Sequence, residues 1–245
     1  MNTTEEQSSL QRMPARIWSQ LSPGEKEQIR KDLSKIKIIF LGCGKTLTDD
    51  RWVVANKEMG MTEGDEKFLK GYYKEGIINY KEWIDLDLRL WKKRGEPTRE
   101  NFEKIFSELN SPDPRAKEVV SKLKKKHRVF AVTGQNQHLA NAVQEEFEIH
   151  CFATNVFIYD SGGYLKTISF SHEDSSMIMN VISVVSQAHS VLPDEILFVD
   201  DGETGSAVFE SRMAISVAFE SSSKVNQEKA SLVIQELIDL LDILR

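Results

Sequence analysis

KIKIIFLGCGKTLT, residues 35–48, opens with an isoleucine-rich apolar run and breaks at Gly42 into a turn of small, cationic and hydroxyl residues. An isoleucine-rich run of this kind, ending at glycine, is the pattern of a strand covered on both faces, as in a parallel sheet. Three more short apolar runs follow far downstream: Arg128–Thr133 (RVFAVT), Glu195–Asp200 (EILFVD) and Ala214–Ala218 (AISVA). Helical patterns lie between and after them, over Pro114–Lys126, His138–Phe147, Ser175–Ser190 and Lys229–Leu244. Strands alternating with helices require crossover connections, so the spacing predicts a Rossmann-like, mostly parallel α/β sheet.

Working outward, the gap between the first two strands is too long for a single crossover helix. Residues 52–110 are helical in pattern, and Tyr80, Trp83, Ile84, Leu86, Leu88, Leu90 and Trp91 supply apolar surface. This segment is expected to form a helical cap over the sheet, leaving residues 35–51 and 111–245 as the α/β core. Trp83 and Trp91 are expected to pack in the interior of that cap, with contact to a ligand the lesser reading. Residues 1–34 read as an N-terminal helical extension, since Ser22-Pro23-Gly24-Glu25 has the capping-box spacing with proline at the first helical position. Gly162-Gly163, inside FIYDSGGYLKTISF, marks a hairpin.

Composition narrows the function classes. Of the 245 residues, 40% are apolar and 29% charged, a globular balance. The net charge of −6 argues against a nucleic-acid binder, which needs a basic face. The basic run KLKKKHR, Lys122 to Arg128, is short and sits where cations complement a helix C-terminus. No apolar run approaches the roughly 18 residues of a membrane span, and the polar start lacks the order of a secretory leader. With only two cysteines, Cys43 and Cys151, a disulfide framework is not expected. A reducing, cytoplasmic setting fits this usage.

Ligands of open α/β sheets bind at the carboxyl ends of strands, which directs attention to three turns. Residues 42–48 offer glycine backbone, Lys45 and the Thr46 hydroxyl, all suited to an anion. Thr133-Gly134-Gln135 offers a hydroxyl and a backbone amide. Asp200-Asp201 offers paired carboxylates of the kind that hold Mg²⁺, a hard cation that takes oxygen ligands. Together they are the ingredients of a phosphate and magnesium site.

Their order and spacing resemble the haloacid dehalogenase (HAD) superfamily of phosphotransferases, particularly its phosphoserine phosphatase-like branch, over about residues 35 to 245. The family carries D-x-D-G-T-L-T after its first strand, which falls here on Gly42-Cys43-Gly44-Lys45-Thr46-Leu47-Thr48. Thr133 matches the second-motif hydroxyl, and Val199-Asp200-Asp201-Gly202 the acidic fourth motif. The stretch GMTEGDEKFLKGYYKEGIINYKEWIDLDLRLWKKRG looks like that branch's cap, and KASLVIQELIDLLDIL like its closing helix.

The departures matter as much. The resemblance implies an aspartate nucleophile at position 42 and an acid–base aspartate at 44, and both are glycine here. The family's lysine that steadies phosphate charge falls at Asp174, its motif glycine at Lys45 and its later acidic residue at Gly205. No catalytic residue is retained at Gly42, Gly44 or Asp174. Lys45, Thr46, Thr133 and Gly134 remain as candidate phosphate-binding residues, and Asp200 with Asp201 as a weak Mg²⁺ pair. The expected function is therefore that of a non-catalytic phosphatase relative binding a small phosphorylated ligand or a protein partner. An altered-mechanism phosphatase is the alternative. A P-loop nucleotidase is a distant one, because G-x-x-x-x-G-K-[ST] needs glycine at Ile39. Cys43 beside Lys45 could be a reactive thiolate, but a buried small apolar residue is the simpler expectation.

Overall fold

Arg16–Ile17 (β1), Ile38–Gly42 (β2), Arg128–Asn136 (β3), His150–Tyr159 (β4), Leu165–Phe170 (β5), Ile196–Val199 (β6), Ile215–Phe219 (β7) and Leu232–Ile234 (β8) form one sheet. Their order is β1-β8-β7-β6-β2-β3-β4-β5. Every pairing is parallel except the β4–β5 hairpin. The chain is an α/β protein of the doubly wound kind that the alternating pattern implies. These descriptions come from a computed structural model that describes residues 15–170, 176–201 and 205–245.

The central strand β2 explains the layering. All five of its residues are buried, and alternate side chains point to opposite faces. Ile39 and Leu41 enter one core with Ile29 and Leu33 of helix α1 (Pro23–Leu33) and Val119 and Leu123 of α6 (Ala116–Leu123). Leu139 and Val143 of α7 (Gln137–Phe147) join them. Ile38 and Phe40 enter the other core, with Ile178 and Ile182 of α8 (Ser176–His189) and Val208 and Phe209 of α9 (Ser206–Ser211). An apolar run without alternation is thus what a strand with two covered faces requires.

Four helices fill the connection between β2 and β3: α2 (Arg51–Glu58), α3 (Glu63–Lys74), α4 (Tyr80–Arg94) and α5 (Arg99–Ser107). Thr62 and Asp65 close a capping box at the start of α3, and Asn79 and Glu82 another at α4. Two rungs join α2 to α4 one helical turn apart. The Trp52 indole donates to Asp87 at 2.9 Å, and the Trp91 indole donates to Asn56 at 3.0 Å. Trp91 is fully buried and packs with Trp52, Phe102 and Phe157, the last of these from β4, so aromatic surface ties the insertion to the sheet. Trp83 is only partly buried.

The two ends of the chain depart from the sequence expectation. Lys229–Leu244 was expected to be one helix. Instead α10 (Lys224–Lys229) ends as that run begins, Leu232–Ile234 form β8, and only Asp239–Ile243 (α11) is helical. The correction has a physical cause: Leu232, Val233 and Ile234 are all buried, two of them are β-branched, and they complete the sheet beside β7. Strand β1, unforeseen at two residues, then pairs with β8. Trp18, just after it, is buried beneath Lys26 and Arg30 of α1. The expected helix after Ser22 is present, with its capping box formed by Glu25. Residues 1–14 of the expected extension, and Asp174, lie outside the described residues.

Candidate functional site

Strand β2 lies between β3 and β6, with Gly42 opposite Val132 and Leu41 opposite Val199. That register brings three segments to one edge of the sheet: the turn after Gly42, the stretch of β3 after Val132, and the turn after Val199. The first and third begin where a buried strand ends, whereas Thr133 and Gly134, expected in a turn, lie within β3 where its pairing with β4 shifts, so polar groups gather at the rim of an apolar layer.

The first turn is held by its own backbone. The Cys43 carbonyl accepts from the amides of Thr46, Leu47 and Thr48, and Lys45 N–H donates to the Thr48 carbonyl at 2.6 Å. Lys45 sits at φ 58°, the left-handed region that disfavours a side chain with Cβ. The turn therefore keeps a conformation suited to glycine although the residue is lysine. The Lys45 ammonium lies 3.3 Å from an Asp201 carboxylate oxygen.

Gly42 and Gly205 do not face open space. A Cβ built on Gly42 would fall 2.1 Å from Asp200 Oδ1. One built on Gly205 would fall 2.2 Å from Asp200 Oδ2 and 2.6 Å from the Phe198 ring. The Asp200 carboxylate, 3% exposed, is thus lodged between two glycines, at positions where the resemblance places acidic residues. Gly44 is looser, since its Cβ would meet only the Gln135 amide nitrogen at 3.2 Å.

Above this edge is a cavity of about 100 Å³. Its sheet side is formed by Cys43, Gly44, Lys45, Thr133, Gly134, Gln135, Asp200 and Asp201. Its other wall comes from the helical insertion, through Asp50, Trp52, Asn56, Glu66, Lys70, Tyr80 and Trp83 among others. Tyr80 ties the two walls together. Its hydroxyl donates to the Gly134 carbonyl at 3.1 Å and accepts from Asn155, whose amide also donates to Gly134 at 2.7 Å. Burial pushes the Tyr80 phenol up to about 12, so it is neutral and available as a donor at physiological pH.

The structure gathers Lys45, Thr133, Gly134, Asp200 and Asp201 at this cavity. Thr46 is 1% exposed, packed beneath the loop and not on the cavity wall. The Thr133 hydroxyl accepts from the Gln135 amide at 3.0 Å. Cys43 is buried, and its sulfur lies 3.5 Å from that of Cys151. The neighbouring thiol, burial and the nearby Asp200 carboxylate all push the Cys43 thiol up, which works against a reactive thiolate. Gln135 lines the cavity as part of the second turn, and Trp83 lines it too, the lesser of the two readings given for it; Tyr80, Glu66 and Lys70 were not foreseen at the site. Trp83 had a signal, its place on an aromatic helix, but not one that separates core from cavity.

A Mg²⁺ ion does not fit these residues. It asks for near-octahedral oxygen ligation at ~2.0–2.1 Å. Here Asp200 is engaged between Gly42 and Gly205, and the charge beside Asp201 is already an ammonium. Among the described residues there is no group of three or more His, Cys, Asp or Glu placed to hold a metal.

Comparison with solved structures settles the architecture. The chain superposes on a substrate-bound phosphoserine phosphatase with a TM-score of 0.73 at 19% identity, covering 86% of this chain and 99% of that one. The fold is that of the phosphoserine phosphatases. A phosphoserine phosphatase captured as its phospho-aspartyl intermediate analogue matches at a TM-score of 0.72, again at 19% identity and over 86% and 99% of the two chains. A HAD family hydrolase from Salmonella enterica serovar Typhi matches this fold at 0.74, with 13% identity over 92% of this chain and 81% of that one. No protein-family model and no curated protein sequence matches the chain. No described helix is long and apolar enough to cross a membrane.

Proposed function

We propose that this protein uses the phosphoserine phosphatase fold to bind a ligand without hydrolysing it, as a sensor or regulatory subunit. The observation that carries the reading is Asp200 seated in the side-chain space of Gly42 and Gly205. Attack on phosphorus needs a nucleophile aimed at the ligand. Position 42 has no side chain, and its vacated volume is taken by a buried carboxylate.

Lys45 and Thr133-Gly134 support a phosphorylated small molecule or phosphorylated protein segment as the ligand, because a cation and hydroxyl or amide donors complement phosphate oxygens. The test is Mg²⁺-dependent phosphate release from phosphoserine and an aryl phosphate, run beside direct binding of both compounds. Binding without turnover is the expected result. Turnover in the unmodified chain at rates near those of active phosphatases would defeat the proposal.

A further inference from the structure

We infer that Lys45 is a tethered replacement for a divalent metal: its ammonium supplies at the Asp200-Asp201 turn the positive charge that a bound cation would otherwise provide. This goes beyond the binding role proposed above and stands first on the placement of Lys45 beside Asp201.

Adjacent carboxylates at the end of a buried strand repel one another and require a counter-charge. Asp200 is 3% exposed and Asp201 is also withdrawn from solvent, its side chain 14% exposed. The cation provided is the Lys45 ammonium, 3.3 Å from Asp201 Oδ2. Lysine is an unexpected residue for this turn, because φ 58° is a glycine-favouring conformation. Its presence there places an ammonium on the cavity wall directly beside the acidic turn. The remaining changes agree with this exchange. Gly42 contributes no oxygen ligand, and the Asp200 carboxylate has settled against Gly42 and Gly205. A second cation entering would meet the ammonium at close range and would have to pull Asp200 out of its slot. For the phosphorylated ligand proposed above, binding then becomes independent of metal.

The experiment is Mn²⁺ binding followed by electron paramagnetic resonance, on the full chain and on Lys45→Gly and Lys45→Met variants. Glycine accepts the left-handed turn, and methionine keeps the length of the side chain without its charge. The unmodified chain should bind no Mn²⁺ at millimolar concentration. The variants should bind at least ~10-fold more tightly, the factor expected when one unit charge is removed from a partly wet site. Adding Asp201→Asn to the glycine variant should abolish the gain. Tight Mn²⁺ binding by the unmodified chain, or none by either folded variant, overturns the inference. Inorganic phosphate, followed by ³¹P line broadening with chelator and with Mg²⁺, separates the two proposals. Phosphate binding that appears only with Mg²⁺ overturns the metal replacement. If phosphate binds under neither condition, the ligand reading falls and the Mn²⁺ result still decides the role of Lys45.

Discussion

Asp200, at the carboxyl end of the sheet, and Asp87, inside the helical insertion, are both buried carboxylates, and their surroundings accommodate them in opposite ways. Around Asp200 the neighbouring side chains are reduced to glycine at 42 and 205, so the carboxylate fills the space they leave. Around Asp87 the packing is full. It is 0% exposed, Trp52 donates to one oxygen, and the other oxygen has no hydrogen-bond partner among the described residues. Burial is the main cause that pushes the Asp87 carboxyl up to about 7. The sheet edge thus holds its acid by removing volume, whereas the insertion holds its acid by favouring the neutral form.

The comparison breaks most visibly at Gly42. Gly42→Val should cost about 3 kcal/mol in urea unfolding, because the new side chain must displace Asp200 from a closed slot. The smaller Gly42→Ala should also destabilise, and most of its cost should vanish in an Asp200→Ala background. Additive costs in that double-mutant cycle would show that the two sites do not compete for one volume. The same crowding bears on restoring a carboxylate there: Gly42→Asp has to evict Asp200, while Gly44→Asp need only shift the Gln135 amide.

Asp87 should show its difference through pH. Its folded-state pKa stands above that of an unfolded aspartate, about 3.9. The folded chain therefore binds more protons between about pH 4 and 7. The stability linked to this group is complete below about pH 4 and is lost as pH rises through about 7. Asp87→Asn keeps an acceptor for Trp52 and removes the titration. Its stability advantage over the unmodified chain should be smallest near pH 4 and ~1–3 kcal/mol larger at pH 8 than at pH 5, by denaturant unfolding at both values. An equal difference at the two pH values would mean that Asp87 does not titrate in this range.

Smaller effects sharpen the link between the regions. Tyr80→Phe removes the hydroxyl that joins the insertion to Gly134, and should cost about 1 kcal/mol, since Asn155 still serves that carbonyl. Lys45→Gly should change stability by less than about 1 kcal/mol. Relief of the left-handed lysine offsets a half-exposed ion pair, so its consequence should appear in cation binding.

Much of this was legible before any coordinates. The apolar stretch Ile38–Leu41 announced a buried strand because a strand covered on both faces has no polar alternation. The Ser22 capping box and the Gly162-Gly163 turn were legible because their hydrogen bonds are local; Gly163 adopts φ 81°, and the Asp160 carboxylate accepts from the Gly162 and Tyr164 amides. The tail was misread because Leu232–Ile234 is too short to declare a period, and its strand form depends on the exposed edge of β7. Lys45, Thr133, Gly134, Asp200 and Asp201 were recognisable from strand-end positions. Tyr80, Glu66 and Lys70 were not, because they reach the cavity through packing between distant segments.

The sequence alone determined the alternation of strands and helices, the long helical insertion and the absence of carboxylates at positions 42 and 44, all properties of residue type and near-neighbour spacing. Only the tertiary structure decided where the remaining acid goes. Asp200 turns into the volume left by Gly42 and Gly205, and Lys45 comes to rest beside Asp201. Those outcomes depend on steric exclusion and charge between residues that are remote along the chain and meet only when β2 and β6 pair.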